Sequence, residues 1–503
     1  MEAILSAVAE VFQPAVLLII VAAAVYGIVV GSIPGLTATM AVALVVPFTF
    51  FLSDVEAIAL IVTTVTCSIF AGDIPAALVR IPGTPASAAY ADDAYALTRQ
   101  RRYQSALGAS LVFSVLGGLF GTFTLACFAP QLARFATEFT SYEYFWLYVV
   151  GLSSAAVVAD QSRLKGAFAL GLGLLLSTIG LGTDFSSPRL TFGFDELVTG
   201  IDFIPAMIGL FGISEVLRNV LRLDEGAPSA TPAAHPEHGS LRSILQLART
   251  RKGHLLRSSV IGSFVGMLPG AGADIAAWIA YAVSKRFSRE PAAYGKGSLE
   301  GIGDAAGANN AALGSAWIPA LVFGIPGDSV TAIAIGVLLM KNITPGPAIF
   351  STSSGQAVLV FSIFVTFVVA NLVLLPIGWG AIRAGAQLIR IPRRVLLPII
   401  LVFCIVGSYS LNASYFDVAV MLVMGVLGFV LERFQIPLGP VVLGIILGGP
   451  LEHRFIQCIS ASMAPRSFLP SPIAAVLFVI VVAMWFGPLA AWLVKRSRKP
   501  PTP

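Results

Sequence analysis

Charged residues are scarce in this chain. Only 11% of its 503 residues are Asp, Glu, Lys or Arg, whereas 57% are hydrophobic and the mean hydropathy is +0.88. An average soluble domain is about 25% charged. A soluble protein of this length would need two or three domains with charged surfaces, and this chain cannot supply them. A soluble enzyme is therefore excluded, and the recurring apolar runs exclude a disordered chain.

Histidine and cysteine are equally rare, with four of each. The cysteines form no CxxC pair, the histidines lack metal-ligand spacing, and no Walker A, GxSxG or HExxH motif occurs. We therefore expect the protein not to be an enzyme and to hold no metal cofactor. The net charge of +5 is better explained by cationic cytoplasmic loops than by a nucleic-acid partner.

Cations are also missing from the first 79 residues, since the first Lys or Arg is Arg80. A secretory signal needs a cationic start, so the apolar stretch 14–30 is expected to stay in the mature protein. Unalternating apolar runs of 15 to 25 residues favour membrane-spanning helices over a β-barrel. The predicted fold is an all-α polytopic membrane protein with about 11 crossings plus two re-entrant helical hairpins.

Basic clusters recur along the chain and predict cytoplasmic loops by the positive-inside rule. Even numbers of apolar runs separate them, which places the basic C-terminus in the cytoplasm and the cation-free N-terminus in the periplasm. The predicted organisation has four parts. They are a first membrane half over 1–221, a cytoplasmic linker over 222–256, a second membrane half over 257–450, and a C-terminal span with a basic cytoplasmic tail over 451–503.

An internal repeat is visible around Pro-Gly pairs. The matching strings are Gly31-Ser-Ile-Pro-Gly-Leu36 and Leu78-Val-Arg-Ile-Pro-Gly83 in the first copy, and Gly266-Met-Leu-Pro-Gly-Ala271 and Leu321-Val-Phe-Gly-Ile-Pro-Gly327 in the second. An acidic loop with Asp54 and Glu56 follows the first Pro-Gly, whereas the basic loop 285–289 follows its counterpart. Opposite charge on corresponding loops indicates two inverted structural repeats with broken helices.

The Pro-Gly breaks suggest how a substrate is bound. Proline interrupts the helical ladder, and a helix beginning after the break points free N–H groups and a partial positive charge at the cavity. Such a terminus binds an anion without a buried cation. Three alternatives stay open: kinks that serve only helix packing, hydroxyls that hydrogen-bond within their own helix, and asparagines that hydrogen-bond one helix to another. The predicted substrate-binding residues are Pro34, Gly35, Thr37, Gly83, Thr84, Ser87, Gly270, Gly272, Asn309, Asn310, Gly327 and Ser329.

These motifs resemble the large membrane subunit of the tripartite tricarboxylate transporter family. The similarity extends from about Val16 to Gly346 and includes Ile81-Pro-Gly-Thr-Pro-Ala-Ser-Ala88, Tyr294-Gly-Lys-Gly-Ser-Leu-Glu-Gly301 and Ala308-Asn-Asn-Ala311. The resemblance implies a bacterial inner-membrane importer of carboxylates that works by cation-coupled alternating access. Its implied partners are a small four-span membrane subunit, a periplasmic solute-binding protein and a small organic acid. The implied coupling ion is Na⁺ or H⁺.

Four aspartates depart from the family pattern and are candidates for cation coupling: Asp73, Asp274, Asp304 and Asp328. An ionisable group at membrane depth is costly and is a functional candidate. The alternative is that they only hydrogen-bond the broken backbone. Arg80 is expected to pair with a substrate carboxylate or with Asp73. Competing functions are the large subunit of a related dicarboxylate importer and an ion channel.

Overall fold

The computed structural model describes residues 2–34, 36–158, 162–182, 187–221, 241–270, 272–351, 356–385, 393–461 and 468–497. Most of the described residues are helical, because backbone amides in a bilayer must be paired within their own segment. The prediction of an all-α polytopic membrane protein is confirmed.

The helices follow the apolar runs of the sequence. They are α1 Glu2–Val11, α2 Pro14–Gly31, α3 Ala38–Thr49, α4 Asp54–Ala71, α5 Asp73–Val79, α6 Ala91–Arg99, α7 Tyr103–Ala136, α8 Ser141–Val158, α9 Arg163–Ser177, α10 Phe203–Met207, α11 Ser214–Leu221, α12 Leu241–Thr250, α13 Lys252–Gly266, α14 Gly272–Phe287, α15 Leu299–Phe323, α16 Ser329–Met340, α17 Ala357–Ala384, α18 Arg393–Asn412, α19 Tyr415–Arg433, α20 Leu438–Ala461 and α21 Pro472–Ser497.

Short elements complete the described chain. A π-helical turn, Ile208–Ile213, joins α10 to α11. The strands β1, Gly180–Leu181, and β2, Pro188–Arg189, pair antiparallel. Turns of 3₁₀ helix lie at Ser87–Ala89, Asp195–Thr199, Pro291–Ala293 and Pro347–Phe350.

Six helical stretches among the described residues are long and apolar enough to cross a membrane. They are Pro14–Gly31, Asp54–Val79, Tyr103–Ala136, Phe203–Leu221, Ala357–Ala384 and Tyr415–Arg433. Shorter apolar helices accompany them. The total of about 11 crossings and the re-entrant hairpins stay predictions.

The predicted linker 222–256 contains helical structure in its second part. Residues 222–240 lie outside the described residues, as does most of the basic tail, but α12 and the start of α13 occupy 241–256. The α12 helix is amphipathic, and its Ile244 and Ala248 are buried against Val112 and Phe113 of α7. Burial of this apolar face explains why the segment is helical despite its basic residues.

The chain forms two compact units. The first comprises 1–134 and 204–429, and the second 135–203 and 430–503. In the second unit α8, α9, α20 and α21 pack together. Arg189 makes a two-pronged ion pair with Glu452 there, at 2.8 and 3.0 Å. All the predicted site residues belong to the first unit.

The sequence repeat is also a structural repeat. At the end of α5, the N–H of Ile81 donates to the carbonyl of Pro75 at 3.3 Å. At the end of α15, the N–H of Ile325 donates to the carbonyl of Pro319 at 3.2 Å. The two copies are offset by 244 positions, from 75 to 319 and from 81 to 325. The same turn therefore closes both helices.

Left-handed backbone ends both helices at the same offset. Arg80 has φ 57° and Gly324 has φ 69°. A left-handed residue is a common helix stop, and glycine adopts it without strain. The bulky Arg80 therefore occupies the left-handed position that Gly324 occupies in the second copy.

Close backbone packing is repeated as well. A Cβ at Gly31 of α2 would fall 2.5 Å from the carbonyl oxygen of Ser68 in α4. At the equivalent Gly266 of α13, a Cβ would overlap the carbonyl oxygen of Ala312 in α15. Both glycines precede the first proline of their repeat by three residues. The pairs α2–α4 and α13–α15 are thus equivalent, whereas their inverted orientation in the membrane stays a prediction.

Candidate functional site

The four Pro-Gly breaks interrupt helices of the first unit. Break 1 covers 32–37, break 2 covers 80–86, break 3 covers 267–271 and break 4 covers 324–328. Gly35, a predicted substrate-binding residue, and Ala271 of break 3 lie outside the described residues. The contacts of the other break residues show which breaks meet.

Break 2 rests on α14 of the other repeat. The Asp274 carboxylate accepts a hydrogen bond from the Ala86 N–H at 3.0 Å. The Trp278 indole N–H donates to the Pro85 carbonyl at 3.2 Å. Asp274 and Trp278 lie one turn apart on α14, so together they bind the carbonyl of Pro85 and the N–H of Ala86, which belong to the same peptide group.

The start of α14 also adjoins break 4. Gly270 and Gly272 flank the turn with φ 76° and 69°. A Cβ built at Gly272 would lie 3.6 Å from the Cβ of Asp328, which is an ordinary contact distance. The N-terminal turn of α14 therefore contacts both break 2 and break 4, and it brings Asp274 and Asp328 to the same region.

Break 1 joins this assembly through α3. Thr37 caps that helix, because its hydroxyl accepts a hydrogen bond from the Met40 N–H at 3.3 Å. The α3 helix packs against α16, which begins with Ser329 directly after break 4. The described predicted residues of the four breaks therefore lie in one connected group of elements.

The N–H groups of breaks 2 and 4 already have acceptors in the chain. Thr84 and Ser87 cap each other, with each N–H donating to the other hydroxyl at 3.1 Å. The Asp328 carboxylate accepts from the Thr331 N–H at 2.8 Å, and the Thr331 hydroxyl accepts from the Asp328 N–H at 2.9 Å. A substrate carboxylate can bind these N–H groups only by displacing these caps.

The glycines of breaks 2 and 4 permit close packing. Gly83 donates its N–H to the Gly72 carbonyl at 3.0 Å, and a Cβ there would lie 2.5 Å from the Gly72 Cα. At Gly327 a Cβ would lie 2.9 Å from that of Ala316. The pairs again match at an offset of 244, from 72 to 316 and from 83 to 327. Both glycines fix the return of the chain onto its preceding helix.

Asp73 is buried at 3% exposure and is bonded within its own repeat. Its carboxylate accepts from the Tyr90 hydroxyl at 2.7 Å and from the Ser110 hydroxyl. Arg80 pairs instead with Asp92, at 2.7 Å on an exposed surface. The expected alternative of an Arg80–Asp73 pair is therefore not what the structure shows.

Asp304 lies in a charged cluster at the start of α15. Its carboxylate is paired with Arg257 at 2.9 Å and lies 3.4 Å from the His254 ring. His254 is in turn 2.7 Å from Glu300. Asp304, His254 and Glu300 line a cavity of about 240 Å³ together with the loop before α15. Within the described part of the chain, the ion pairs of this cluster do not involve the breaks, so Asp304 forms a separate feature.

Asn309 and Asn310 are buried in α15, each at 2% exposure. The Asn310 amide donates to the Ala306 carbonyl at 3.2 Å. Within the described chain, neither side-chain oxygen has a hydrogen-bond partner. Successive helical residues point about 100° apart, so the two amides face different neighbours.

Sequence reasoning missed Asp93, which is fully buried. One carboxylate oxygen accepts from the N–H groups of Gly295, Gly297 and Ser298, each at 2.8 Å. The other accepts from the Tyr281 hydroxyl at 2.6 Å. Asp93 thus ties α6 of the first repeat to the glycine-rich loop of the second. The Gly-Lys-Gly-Ser string was visible, but nothing in the sequence named its acidic partner.

The same loop carries Tyr294, whose hydroxyl is 2.7 Å from that of Ser284. Burial raises the pKa of the Tyr294 phenol above its ordinary value, so this hydroxyl stays protonated at physiological pH.

No group of three or more His, Cys, Asp or Glu side chains suited to a metal ion occurs among the described residues.

Comparison with known proteins places this architecture in context. The model of the tripartite tricarboxylate transporter TctA family matches residues 17–443. An uncharacterized 52.8 kDa protein in the TAR-I ttuC' 3' region of Agrobacterium vitis is 33% identical over 464 residues, covering 91% of this chain and 90% of that protein. An uncharacterized protein in the TAR-II ttuC' 3' region of the same organism is 36% identical over 217 residues, covering 43% of this chain and 88% of that protein. No solved structure matches the chain.

Proposed function

This chain belongs to the tripartite tricarboxylate transporter TctA family, and we propose that it imports a tricarboxylate or related organic acid through the repeat-related breaks of its first unit. The family is the large subunit of tripartite tricarboxylate transporters. The proposal adds the translocation site, the coupling to a cation and the inner-membrane location.

The contacts of α14 carry the proposal. Its first turn adjoins break 4, while Asp274 and Trp278 hold the peptide group of break 2. Broken helices of two repeats that meet in this way form the usual binding region of secondary transporters. Irregular backbone at membrane depth is tolerated only where it is buried in protein or lines an aqueous cavity.

The caps at these breaks suggest how binding proceeds. In this conformation the Thr84 and Ser87 hydroxyls each accept a hydrogen bond from the backbone N–H of the other residue, and the Ser87 hydroxyl donates to the Thr84 carbonyl. On substrate entry, each hydroxyl rotates to donate to a carboxylate, and the released N–H groups add further donors. The charge of the helix terminus favours the bound anion.

The two aspartates near this region explain why a cation accompanies the substrate. Asp274 and Asp328 both adjoin the start of α14. An organic anion entering there meets like charge, and a low-dielectric surrounding strengthens the repulsion. Na⁺ or H⁺ bound near the breaks offsets it. Alternating access then moves the loaded site from the periplasmic to the cytoplasmic side.

The proposed partners follow from the tripartite organisation. A small four-span membrane subunit joins this chain, and a periplasmic solute-binding protein delivers the organic acid. The N-terminus lies in the periplasm and the C-terminus in the cytoplasm in this arrangement. The basic clusters support that orientation through the positive-inside rule.

An uptake assay tests the proposal. The chain is expressed with its small subunit and binding protein in cells that lack endogenous carboxylate importers, and radiolabelled di- and tricarboxylates are supplied with Na⁺, with choline or under a proton gradient. We expect saturable uptake of one acid that depends on the binding protein and on one cation gradient. Asp274→Ala should reduce uptake at least about tenfold, the effect of losing one charge-assisted hydrogen bond of about 1.5–3 kcal/mol.

The exposed Asp92 provides the matched control: Asp92→Ala removes a carboxylate from the same repeat, and the ion pair it breaks is an exposed one with Arg80 at the start of break 2. This variant should transport at the wild-type rate. Uptake that rises linearly with concentration would indicate a channel. Uptake restricted to dicarboxylates would assign the chain to the related importer class, and uptake without the binding protein would contradict the tripartite assignment.

A further inference from the structure

An apolar groove lies between helices α2, α3 and α18 of the first unit. Leu52 and Leu60 complete its lining, and its volume is about 370 Å³. Pockets for small molecules span roughly 300–1,000 Å³. The described residues that line it are apolar apart from Tyr26, whose hydroxyl already donates to the Ala41 carbonyl at 3.2 Å. The groove therefore suits a hydrocarbon rather than a polar solute.

The groove has the length of one bilayer leaflet. Its lining residues on α2 extend from Ile19 to Val30, which is about 16 Å of helix. The hydrocarbon core of a bilayer is about 30 Å thick, so one leaflet contributes about half of that. Spread over 16 Å, the volume of 370 Å³ gives a mean cross-section of about 23 Å², whereas an α-helix with its side chains is about 10–12 Å wide. One acyl chain fits this space, and a transmembrane helix does not.

One end of the groove lies beside the loop that joins α3 to α4. A Cβ at Gly27 would lie 2.7 Å from the Thr64 carbonyl oxygen, and one at Gly31 would lie 2.5 Å from that of Ser68. The α2 and α4 helices therefore run parallel. The Ile19 end of the groove is thus level with the start of α4, and the opposite end lies beside break 1.

A cation and a carboxylate flank the end of the groove at the start of α4. The ammonium of Lys341, which follows α16, donates to the carbonyl of the lining residue Leu52. Glu56 precedes the lining residue Leu60 by one turn of α4, so both lie on the same helix face. The Glu56 carboxylate accepts from the Ser53 N–H and hydroxyl, both at 2.9 Å, which holds it at the helix start. An apolar groove of leaflet length therefore ends between opposite charges.

We propose that the groove binds one acyl chain of a phospholipid whose headgroup carries a phosphate and a primary ammonium, as in phosphatidylethanolamine. An ammonium group has three donors and Leu52 takes one, so Lys341 retains donors for the phosphate. Glu56 accepts from the ammonium of the lipid. Such charge-assisted hydrogen bonds are stronger than bonds between neutral groups.

Other common headgroups match these charges less well. Phosphatidylglycerol is anionic and offers no cation to Glu56 or to the neighbouring Asp54. Phosphatidylcholine has a quaternary ammonium, which carries no N–H to donate. Burial of the acyl chain contributes equally for all three lipids, since it depends on the apolar area removed from water. The headgroup therefore decides which lipid is preferred.

The position of the groove links it to break 1, a role that rests on the proposed function. Helix α2 ends at Gly31, directly before this break, and α3 begins at Ala38, directly after it. Both helices line the groove. A bound chain therefore restrains the two segments that flank break 1. Lipid binding itself does not require the substrate assignment.

Native mass spectrometry of the purified full chain tests the proposal. Protein stripped of lipid in detergent is titrated with phosphatidylethanolamine, phosphatidylglycerol or phosphatidylcholine of identical acyl chains, and the affinity of the first bound lipid is measured. Phosphatidylethanolamine should bind most tightly and should raise the melting temperature in a concentration-dependent way. Lys341→Gln and Glu56→Gln should each weaken it at least about tenfold, the effect of losing one charge-assisted hydrogen bond.

A second pair of variants tests the groove itself. Ala22 lines the groove at its exposed edge, so Ala22→Trp should fill it and abolish the preference for phosphatidylethanolamine. The adjacent Val21 is the matched control, because it is 46% exposed at the same depth on another face of α2. Val21→Trp should bind lipid as wild type does. If Ala22→Trp does not fold, Glu56→Gln keeps the test decisive, since glutamine also serves in a capping box.

The outcomes separate a specific site from ordinary lipid contact. Equal affinities for the three headgroups would overturn the proposal, as would wild-type binding of phosphatidylethanolamine by folded Lys341→Gln and Glu56→Gln proteins. Equal lipid binding by Ala22→Trp and Val21→Trp would also overturn it. Selective binding of phosphatidylethanolamine by a chain that takes up no carboxylate would overturn only the proposed function.

Discussion

The Asp93 carboxylate is expected to be a principal connection between the repeats, and removing it tests that role. Asp93→Ala deletes an acceptor that three backbone N–H groups and the Tyr281 hydroxyl share. Asp93 is fully buried, so water does not readily replace the lost oxygen. The glycine-rich loop 295–298 should then lose its attachment to α6.

The magnitude follows from the number of orphaned donors. Each buried donor left unpaired costs about 1–3 kcal/mol. With three N–H groups affected, Asp93→Ala should lower the free energy of unfolding by roughly 3 kcal/mol or more, allowing for partial relaxation of the loop. Asp93→Asn keeps one oxygen for these donors and should lose less.

The neighbouring Asp92 supplies the comparison. Its ion pair with Arg80 has both side chains more than 60% exposed, and such pairs contribute about 0–1 kcal/mol. Thermal unfolding of the detergent-solubilised protein should therefore place the melting temperature in the order wild type, Asp92→Ala, Asp93→Asn, Asp93→Ala, from highest to lowest. Equal melting temperatures for Asp92→Ala and Asp93→Ala would refute the reasoning.

Two further predictions concern helix ends and buried charge. Gly324→Ala should destabilise the protein by about 1–2 kcal/mol because position 324 is left-handed, whereas Arg80→Gly at the equivalent position should leave stability unchanged or raise it. Arg257→Gln should cost about 3–5 kcal/mol, because it leaves the Asp304 carboxylate buried without its closest cation. Thermal unfolding measures both effects.

Each of these changes has its own control. Gly171→Ala is the control for Gly324→Ala, since a Cβ at position 171 meets no atom within 4 Å. Arg251→Gln serves the second, because Arg251 is 45% exposed and 3.8 Å from Glu300, so its loss should cost less than about 1 kcal/mol. A stable Gly324→Ala protein, or equal losses from Arg251→Gln and Arg257→Gln, would contradict the structural assignments.

The sequence predicted the helices well where one apolar run makes one helix. The runs 141–160 and 416–431 became Ser141–Val158 and Tyr415–Arg433. Pro-Gly strings also located the breaks, because proline and glycine act on the backbone locally. The repeat itself extends further than the strings suggested, since hydrogen bonds and close contacts recur at an offset of 244 from positions 68 to 83, whereas the earlier glycines Gly31 and Gly266 are 235 apart.

What the sequence could not reveal depends on distant contacts. Asp93 and its partner Ser298 are 205 residues apart, and Asp274 and Ala86 are 188 apart. Helix α12 is a different case, because its apolar residues at 241, 244, 245 and 248 have helical spacing within a segment predicted to be a linker. That amphipathic pattern was the signal for its packing on α7.

The central claim is that the breaks of both repeats form one site for an organic acid. Counterflow in proteoliposomes tests it most directly: the chain and its small subunit are reconstituted with the binding protein and loaded with an unlabelled carboxylate, and entry of the labelled acid is measured. The account predicts exchange by wild type and by Asp92→Ala, and at least about tenfold slower exchange by Asp274→Ala in protein that melts well above the assay temperature. Exchange by Asp274→Ala at the wild-type rate would contradict it.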